Sequence, residues 1–217
     1  NEDNLYGEHL WYEGERTDKW GHRVWCLKRD GQLVDIISAR AGFLENYSFV
    51  RDHAGNMYWA ERGAQTVIKK RTPDGQISTH ATGRLRDVRW MTAAADGTLF
   101  LIDAGDLLRI SPNGQVSTLF YRVSERSLTP SGANGAHYQM GLWLEPNGAV
   151  DVAVAGERLV MQVKPKGQAK VIQRSTWPWS PSGGLVDRAG NAWLLEFSPT
   201  NAVRVRRLNR DGTEQIF

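Results

Sequence analysis

Several features that would assign the sequence to a class of protein are scarce or absent. Cys26 is its only cysteine among 217 residues, so no disulfide can form within the chain. It contains no run of about 18 apolar residues, the length that a membrane-spanning helix requires. Its 27 Lys and Arg barely exceed its 24 Asp and Glu and are spread along the chain. This distribution gives no electrostatic reason to expect binding to nucleic acid or to a membrane.

Signatures of common catalytic sites are also missing. The chain has neither the G-x-S-x-G turn of serine hydrolases nor the glycine-rich loop that holds nucleotide phosphates. Its five histidines form no H-x-H or H-x₃-H pair, which argues against a zinc site. With 41% apolar and 24% charged residues, the chain has ordinary globular composition. Function therefore has to be argued from the fold and from the residues that it brings together.

An internal near-copy is the first positive signal. VRDHAGNMYWAE (50–61) and LVDRAGNAWLLE (185–196) align Asp52 with Asp187 and Gly55 with Gly190, at an offset of 135 residues. Self-similarity at a fixed distance is typical of repeat architectures, and 135 is close to three units of 45.

Two interleaved sets of glycine turns define the units. Most of these glycines directly follow Asp or Asn, and all stand between short apolar segments, a pattern that is a strong hairpin signal. The first set is Gly31, Gly75, Gly114, Gly167 and Gly212, and the second is Gly55, Gly97, Gly148 and Gly190. Neighbours within a set are 39 to 53 residues apart. We expect Gly55 and Gly190 to adopt positive φ, where glycine is tolerated without strain.

Interleaved turns at this period predict four antiparallel strands per unit, which is the blade of an all-β β-propeller. A two-layer sandwich would not explain the period. Five blades are recognisable, at residues 1–38, 42–82, 83–120, 138–174 and 179–217, in a single domain with an insertion at 121–137. The first unit has sequence for only the second, third and fourth strands of a blade. We therefore expect the natural protein to be longer at its N-terminus, by at least one strand and by a sixth blade.

The motif D..GN.Y.A, followed by an apolar strand and a PDG or RDG turn, occurs at 52–75 and again, more loosely, at 187–212. It resembles the repeats of NHL-repeat and gluconolactonase-like β-propellers. The resemblance extends over nearly the whole chain, but the motif describes turns and packing, so it implies the fold alone. Such propellers include lactonases, lyases and binding scaffolds, and fold does not decide among them.

In the lactonase branch, the resemblance implies metal-binding acidic and amide residues at the start of the innermost strands. The matching stretches here are ENYSFV (45–50), QMGL (139–142) and SGGL (182–185). They place Asn46, or Glu45 in a register shifted by one residue, together with Met140 and Gly183 at the ligand positions. A thioether and a bare glycine offer no oxygen to a hard cation. No cofactor and no metal ligand are therefore assigned.

Propeller geometry predicts where a site would lie. The loops that enter the innermost strands and the loops that join second to third strands share one face, around the mouth of the central channel. The insertion 121–137 opens onto that face, and long loops there often acquire function. The candidate ligand-binding residues are Glu45, Asn46, Arg86, Asp87, His137, Gln139, Trp177, Trp179 and Ser182. Aromatic rings beside mixed charge suit a polar organic ligand.

A second acidic set has a structural interpretation. Glu13, Glu61, Asp103 and Glu196 each end a second strand, where the fourth blade has Val154. We expect these carboxylates to accept backbone N–H bonds of neighbouring loops rather than to bind metal.

These patterns favour a binding protein over an enzyme. The partner expected at the channel mouth is a small polar ligand or another protein, in a periplasmic or extracellular location. The alternative is a metal-dependent hydrolase or lactonase with a rearranged channel site of Glu45, Asp87 and His137, which would require a Ca²⁺ or Zn²⁺ ion in the channel.

Overall fold

The computed structural model describes residues 4–12, 20–41, 49–61, 64–83, 85–123 and 139–217. These residues form five antiparallel sheets, each a blade of a β-propeller, with one short 3₁₀ turn at Ala155–Glu157. The predicted all-β propeller is confirmed. Within the described ranges, no helix is long and apolar enough to span a membrane.

The strands are numbered in chain order and run from the innermost strand outward in blades 2 to 5. Blade 1 contains β1 (Leu5–Tyr12), β2 (Trp20–Leu27) and β3 (Leu33–Ala41), and blade 2 contains β4 (Phe49–Arg51), β5 (Met57–Glu61), β6 (Val67–Arg71) and β7 (Ile77–Ala81). Blade 3 contains β8 (Val88–Ala93), β9 (Leu99–Asp103), β10 (Asp106–Ile110) and β11 (Val116–Phe120). Blade 4 contains β12 (Gln139–Leu144), β13 (Val150–Val154), β14 (Leu159–Val163) and β15 (Ala169–Arg174). Blade 5 contains β16 (Ser180–Val186), β17 (Ala192–Phe197), β18 (Val203–Leu208) and β19 (Glu214–Ile216).

Blade 1 has three strands, as predicted. The turn at Gly31 joins β2 to β3, which is the turn between third and fourth strands in the other blades, so β1 occupies the second-strand place. The described residues form five blades, and the sixth blade stays a prediction. Of the predicted insertion 121–137, only the part up to residue 123 is described.

The core lies between the blades. Every residue of β9 and β13 is buried. These are the second strands of blades 3 and 4, and a neighbouring blade covers each face of both strands. One apolar cluster joins blades 2 and 3, another joins blades 3 and 4, and a smaller one joins blades 4 and 5. Burial of these faces is the main source of stability in such a fold.

The turns give the propeller two distinct faces. Turns from first to second and from third to fourth strands lie together on what we call the distal face. Gly55 and Gly190 have φ of 86° and 83° there, as predicted. The loops from second to third strands, and the entries to the innermost strands, lie on the opposite side, which we call the entry face.

Candidate functional site

The entry face holds the predicted site residues that the structure describes. Side chains are described for Arg86, Asp87, Trp177, Trp179 and Ser182. Gln139 begins β12, where it pairs with Val154. The predictions for Glu45, Asn46 and His137 lie outside the described residues.

Arg86 closes a loop of blade 3. Its Nη2 lies 2.6 Å from Oδ2 of Asp106 and donates at 3.1 Å to the carbonyl of Asp103, and its Nε lies 3.5 Å from Oδ2 of Asp103. The backbone N–H groups of Arg86 and Asp87 donate to Oδ1 of Asp103 at 2.8 and 2.6 Å. The Arg86 side chain is nevertheless 56% exposed, so part of it is open to a ligand.

Asp103 has the structural role that the sequence predicted for it. Its side chain is buried, and burial raises the pKa of its carboxyl, against the opposing effect of hydrogen bonds and charge from Arg86. Glu196, at the same place in blade 5, differs: among the described residues, its carboxylate accepts from the side chains of Ser175 and of two arginines. Both carboxylates are therefore held by the protein itself.

Asp87 and Ser182 are likewise engaged within the protein. Oδ1 of Asp87 lies 3.0 Å from Nε of Arg89. The hydroxyl of Ser182 donates at 3.1 Å to the carbonyl of Leu195, the next strand of its own blade. Within the part of the chain that the structure describes, neither group lies beside a general base as a nucleophile would, which is the geometry that covalent catalysis requires.

Trp177 is the most exposed of the predicted residues whose side chains the structure describes. It lies in the connection from β15 to β16, before a cis peptide bond to Pro178, and is 71% exposed. The guanidinium carbon of Arg158 lies 5.9 Å from the centroid of its ring. Ser175 donates its backbone N–H to the carbonyl of Arg158 at 2.8 Å, which ties this connection to the neighbouring loop.

Trp179 belongs to a charged cluster between blades 4 and 5. Arg204 lies over its ring at 4.3 Å and donates at 2.7 Å to Oε2 of Glu196. Nη2 of Arg206 is 3.0 Å from Oε1 of Glu196, which also accepts from Ser175 at 2.5 Å. Glu196 and Arg206 are both buried. This cluster stabilises the ends of the two blades and leaves Trp179 half-buried.

Two residues of the entry face were not singled out from the sequence. Arg158 follows the 3₁₀ turn in blade 4, with φ of 53°, and Tyr121 follows β11 and is 71% exposed. Both residues lie in connections on the entry face. The turn pattern of the sequence predicts these connections, so it could have pointed to both residues. In the described part of the chain, no group of three or more His, Cys, Asp or Glu side chains is placed to hold a metal ion.

A cavity lies on the distal face, which the sequence reasoning did not consider as a site. Its volume is about 830 Å³, and it extends from the first turns of the blades into the groove between blades 3 and 4. Its lining includes His53, Asp96, Phe100, Arg109 and Glu145. The available signal was the turn sequence itself, since blades 3 and 4 have Ala94 and Glu145 where blades 2 and 5 have Asp.

Comparison with known proteins supports the fold. No protein-family model and no curated protein matches the chain. Among solved structures, a streptogramin B lyase superposes with a TM-score of 0.63 at 15% identity, covering 96% of this chain and 67% of the other. A gluconolactonase from Xanthomonas campestris gives 0.62 at 17% identity, covering 92% and 71%. Regucalcin from Agrobacterium tumefaciens, described as a calcium-binding protein, gives 0.62 at 14% identity, covering 95% and 71%.

These similarities define the class. The chain is a β-propeller with the fold of gluconolactonase-like proteins and of streptogramin B lyase, as the repeat motif implied. At such low identity the likeness establishes the fold and leaves the activity to the site.

Proposed function

We propose that the chain is a ligand-binding β-propeller whose entry face takes a small organic anion with an aromatic or planar group. One observation supports this most directly: the exposed ring of Trp177 with the guanidinium of Arg158 beside it. An indole offers an apolar stacking surface, and a guanidinium pairs with a carboxylate in a directed, bidentate way.

Further groups of the entry face fit the same ligand. Tyr121 adds a second exposed aromatic ring, and Arg86 presents the outer side of its guanidinium. The predicted residues Asp87, Trp179 and Ser182 then shape the surface, because Asp87 and Ser182 already have polar partners in the protein and Arg204 lies over the ring of Trp179. Glu45, Asn46, His137 and Gln139 belong to the proposal as predicted residues of the same channel mouth.

The test uses fluorine NMR on protein labelled with 5-fluorotryptophan, with Trp177→Phe to assign the resonance. Benzoate and 4-hydroxybenzoate are the probes, and benzamide is their neutral counterpart. We expect the acids to shift the Trp177 resonance and benzamide to shift it less.

Arg158→Gln should weaken binding of the acids at least fivefold. Arg188→Gln is the matched control, since Arg188 is also exposed but lies in a distal turn of blade 5. Equal affinity in Arg158→Gln and in wild type, or no response at Trp177, contradicts the proposal.

The second candidate is a metal-dependent hydrolase or lactonase using Glu45, Asp87 and His137. It has support from the names of structural neighbours, among them a gluconolactonase and a calcium-binding protein. Metal analysis of the purified protein separates the two functions. Stoichiometric Ca²⁺ or Zn²⁺ that is lost in Asp87→Asn would favour the hydrolase.

A further inference from the structure

A short turn carries the exposed ring of Trp177 on the entry face. It lies in the connection from β15 to β16, where Trp179 donates its backbone N–H to the carbonyl of Thr176 at 2.9 Å. Trp177 is 71% exposed, so packing holds little of its ring. The position of the ring therefore depends on what holds the two ends of the turn, Ser175 and Trp179.

The first end of the turn is held through Ser175. Its backbone N–H donates to the carbonyl of Arg158 at 2.8 Å, and its hydroxyl donates to Oε1 of Glu196 at 2.5 Å. Ser175 and Glu196 are both buried, and a hydrogen bond to a charged acceptor away from water is a strong one. The segment before Trp177 is thereby tied to blade 4 and to the second strand of blade 5.

The second end of the turn is held through Arg204. Its guanidinium carbon lies 4.3 Å from the centroid of the Trp179 ring, and its Nε donates to Oε2 of Glu196 at 2.7 Å. The side chain of Arg204 is 14% exposed, and loss of water strengthens the attraction between a cation and a ring. The two oxygens of one carboxylate thus hold opposite ends of the same turn.

Arg206 of β18 fixes this carboxylate from the interior. Its Nη2 lies 3.0 Å from Oε1 of Glu196 and donates at 3.3 Å to the carbonyl of Arg174, the last residue of β15. Arg206 is itself buried. Separating a buried ion pair would leave uncompensated charge, so Glu196 is held firmly in place.

A matching acid in blade 3 holds the matching connection. Asp103 stands at the equivalent place of the second strand, and its Oδ1 accepts the backbone N–H groups of Arg86 and Asp87, in the connection into β8. In both blades, an acid of the second strand therefore holds the connection into the first strand of the same blade. Blade 5 differs because Glu196 reaches the connection through side chains at its two ends, which leaves the tip of the turn open to present Trp177.

We infer that Glu196 is the positioning residue of the entry-face site. Its carboxylate holds both ends of the turn and so keeps the ring of Trp177 beside Arg158, whose guanidinium carbon lies 5.9 Å from the centroid of that ring. A ligand that stacks on a ring already held in place does not have to order it, which improves affinity. The inference rests on the proposed function for its effect on binding, while the placement of the turn can be measured without a ligand.

The two arms of the carboxylate are tested separately. Replacing Glu196 itself would leave two guanidinium groups without their partner and destabilise the fold. Ser175→Ala removes the hydroxyl and keeps the backbone bond to Arg158, and Arg204→Gln removes the cation over Trp179. Circular dichroism checks that both variants fold.

Fluorine NMR of ligand-free protein labelled with 5-fluorotryptophan measures the placement of the turn. Trp177→Phe and Trp179→Phe assign the two resonances. In Ser175→Ala, we expect the Trp177 resonance to move toward its position in urea-unfolded protein, because the first end of the turn is released. In Arg204→Gln, the resonances of both tryptophans should move, since the ring of Trp179 loses its contact.

Two matched variants control for the loss of a buried serine and of an arginine. Ser198→Ala removes a buried serine of the neighbouring loop on the same face, whose hydroxyl accepts backbone N–H groups of its own loop. Arg207→Gln removes an arginine of the same strand as Arg204, which lies over the ring of Trp193 at 5.2 Å. We expect both variants to leave the Trp177 resonance in place and Arg207→Gln to move that of Trp193.

Titration with benzoate measures the consequence for binding. Ser175→Ala should bind benzoate at least about threefold more weakly than wild type, because the ligand then has to order the ring of Trp177. Ser198→Ala should stay within about twofold of wild type, because its loop does not touch the turn.

An unmoved Trp177 resonance in both Ser175→Ala and Arg204→Gln overturns the inference, and so does an equal shift in Ser198→Ala. A moved resonance with unchanged affinity for benzoate overturns the role of Glu196 in positioning the site. Failure of wild type to bind benzoate contradicts the proposed function instead, and the ligand-free resonances still decide whether Glu196 holds the turn.

Discussion

The distal turns of blades 2 and 4 have the same backbone hydrogen bond, from Gly55 N–H to the Asp52 carbonyl and from Gly148 N–H to the Glu145 carbonyl. Their acidic side chains nevertheless respond oppositely to pH. In blade 2, burial opposes ionisation of Asp52, but hydrogen bonds from Asn56 and Tyr58 outweigh it and lower the pKa of its carboxyl. In blade 4, burial and Glu145 raise the pKa of the Asp151 carboxyl to about 8. The repeat thus fixes where the side chains meet, while the residue types decide whether a proton is repelled or retained.

This difference gives each turn its own contribution to stability against pH. A carboxyl group whose pKa is lower in the folded state than in the unfolded state stabilises the fold above about pH 4, the unfolded pKa. This stabilisation is lost as pH falls through the folded pKa. A raised pKa contributes stability that is present below about 4 and is lost as pH rises through the folded pKa. Blade 2 therefore weakens as pH falls below about 4, and blade 4 weakens as pH rises from about 4 to about 8.

The largest expected effect comes from removing the acceptor of blade 2. Asp52→Ala leaves two groups of Asn56 and the hydroxyl of Tyr58 without the carboxylate to which they donate. We expect a loss of about 2–4 kcal/mol at pH 7 because these donors are partly or fully buried. Urea unfolding measures it.

Asp30→Ala is the matched control for Asp52→Ala. Asp30 is exposed and accepts one backbone N–H, from Gln32 at 2.9 Å, so the loss should stay under about 1 kcal/mol. Equal losses in the two variants would show that the hydrogen bonds of Asp52 in blade 2 stabilise the fold no more than the single bond of Asp30.

Asp151→Asn should reverse the sign of the effect. The amide is neutral at every pH and donates to Glu145, so it reproduces the protonated acid without needing a proton. We expect little difference from wild type near pH 4 and a gain of at least about 1–2 kcal/mol at pH 9, where wild type has to ionise Asp151 beside Glu145. Unfolding curves at both pH values check this, and an alkaline loss that persists in the variant assigns it to another group.

Tyr58→Phe removes one donor and leaves the ring. The hydroxyl is buried and bonds to a charged acceptor, so we expect a loss of about 1.5 kcal/mol and a pKa of Asp52 closer to its ordinary value. Two-dimensional NMR titration of the carboxyl follows the second effect. An unmoved pKa would mean that Asn56 alone holds the carboxylate.

The propeller could be predicted because its signal is repeated. Turns that contain Asp or Asn with Gly recur at nearly fixed distances. Each one indicates a tight turn, because glycine tolerates the positive φ that such a turn requires. The short first blade and the positive φ of Gly55 and Gly190 followed from the same spacing.

The site was harder to predict because its contacts join residues that are distant in sequence. The ion pair of Asp87 is local, because its partner Arg89 is two residues away. The ring of Trp179, in contrast, contacts Arg204, which is 25 residues further along the chain. The pairing of Glu145 with Asp151 was open to sequence reasoning, since aligning the turns puts an acid in the place of Tyr58 and Trp193. Its burial needed the packing of blades 4 and 5.

The smallest effect tests whether the turns are equivalent at all. Gly148 and Gly190 have φ of 80° and 83°. An added Cβ would lie 3.6 Å from Pro165 at Gly148, an ordinary contact, and 2.8 Å from the flexible side chain of Arg210 at Gly190. Alanine at either position therefore meets mainly the backbone penalty, about 1 kcal/mol. We expect Gly148→Ala and Gly190→Ala to lower the free energy of unfolding by equal amounts, within about 0.5 kcal/mol. A loss confined to one of them would show that the two backbones differ, and the comparison of their acids would then lose its basis.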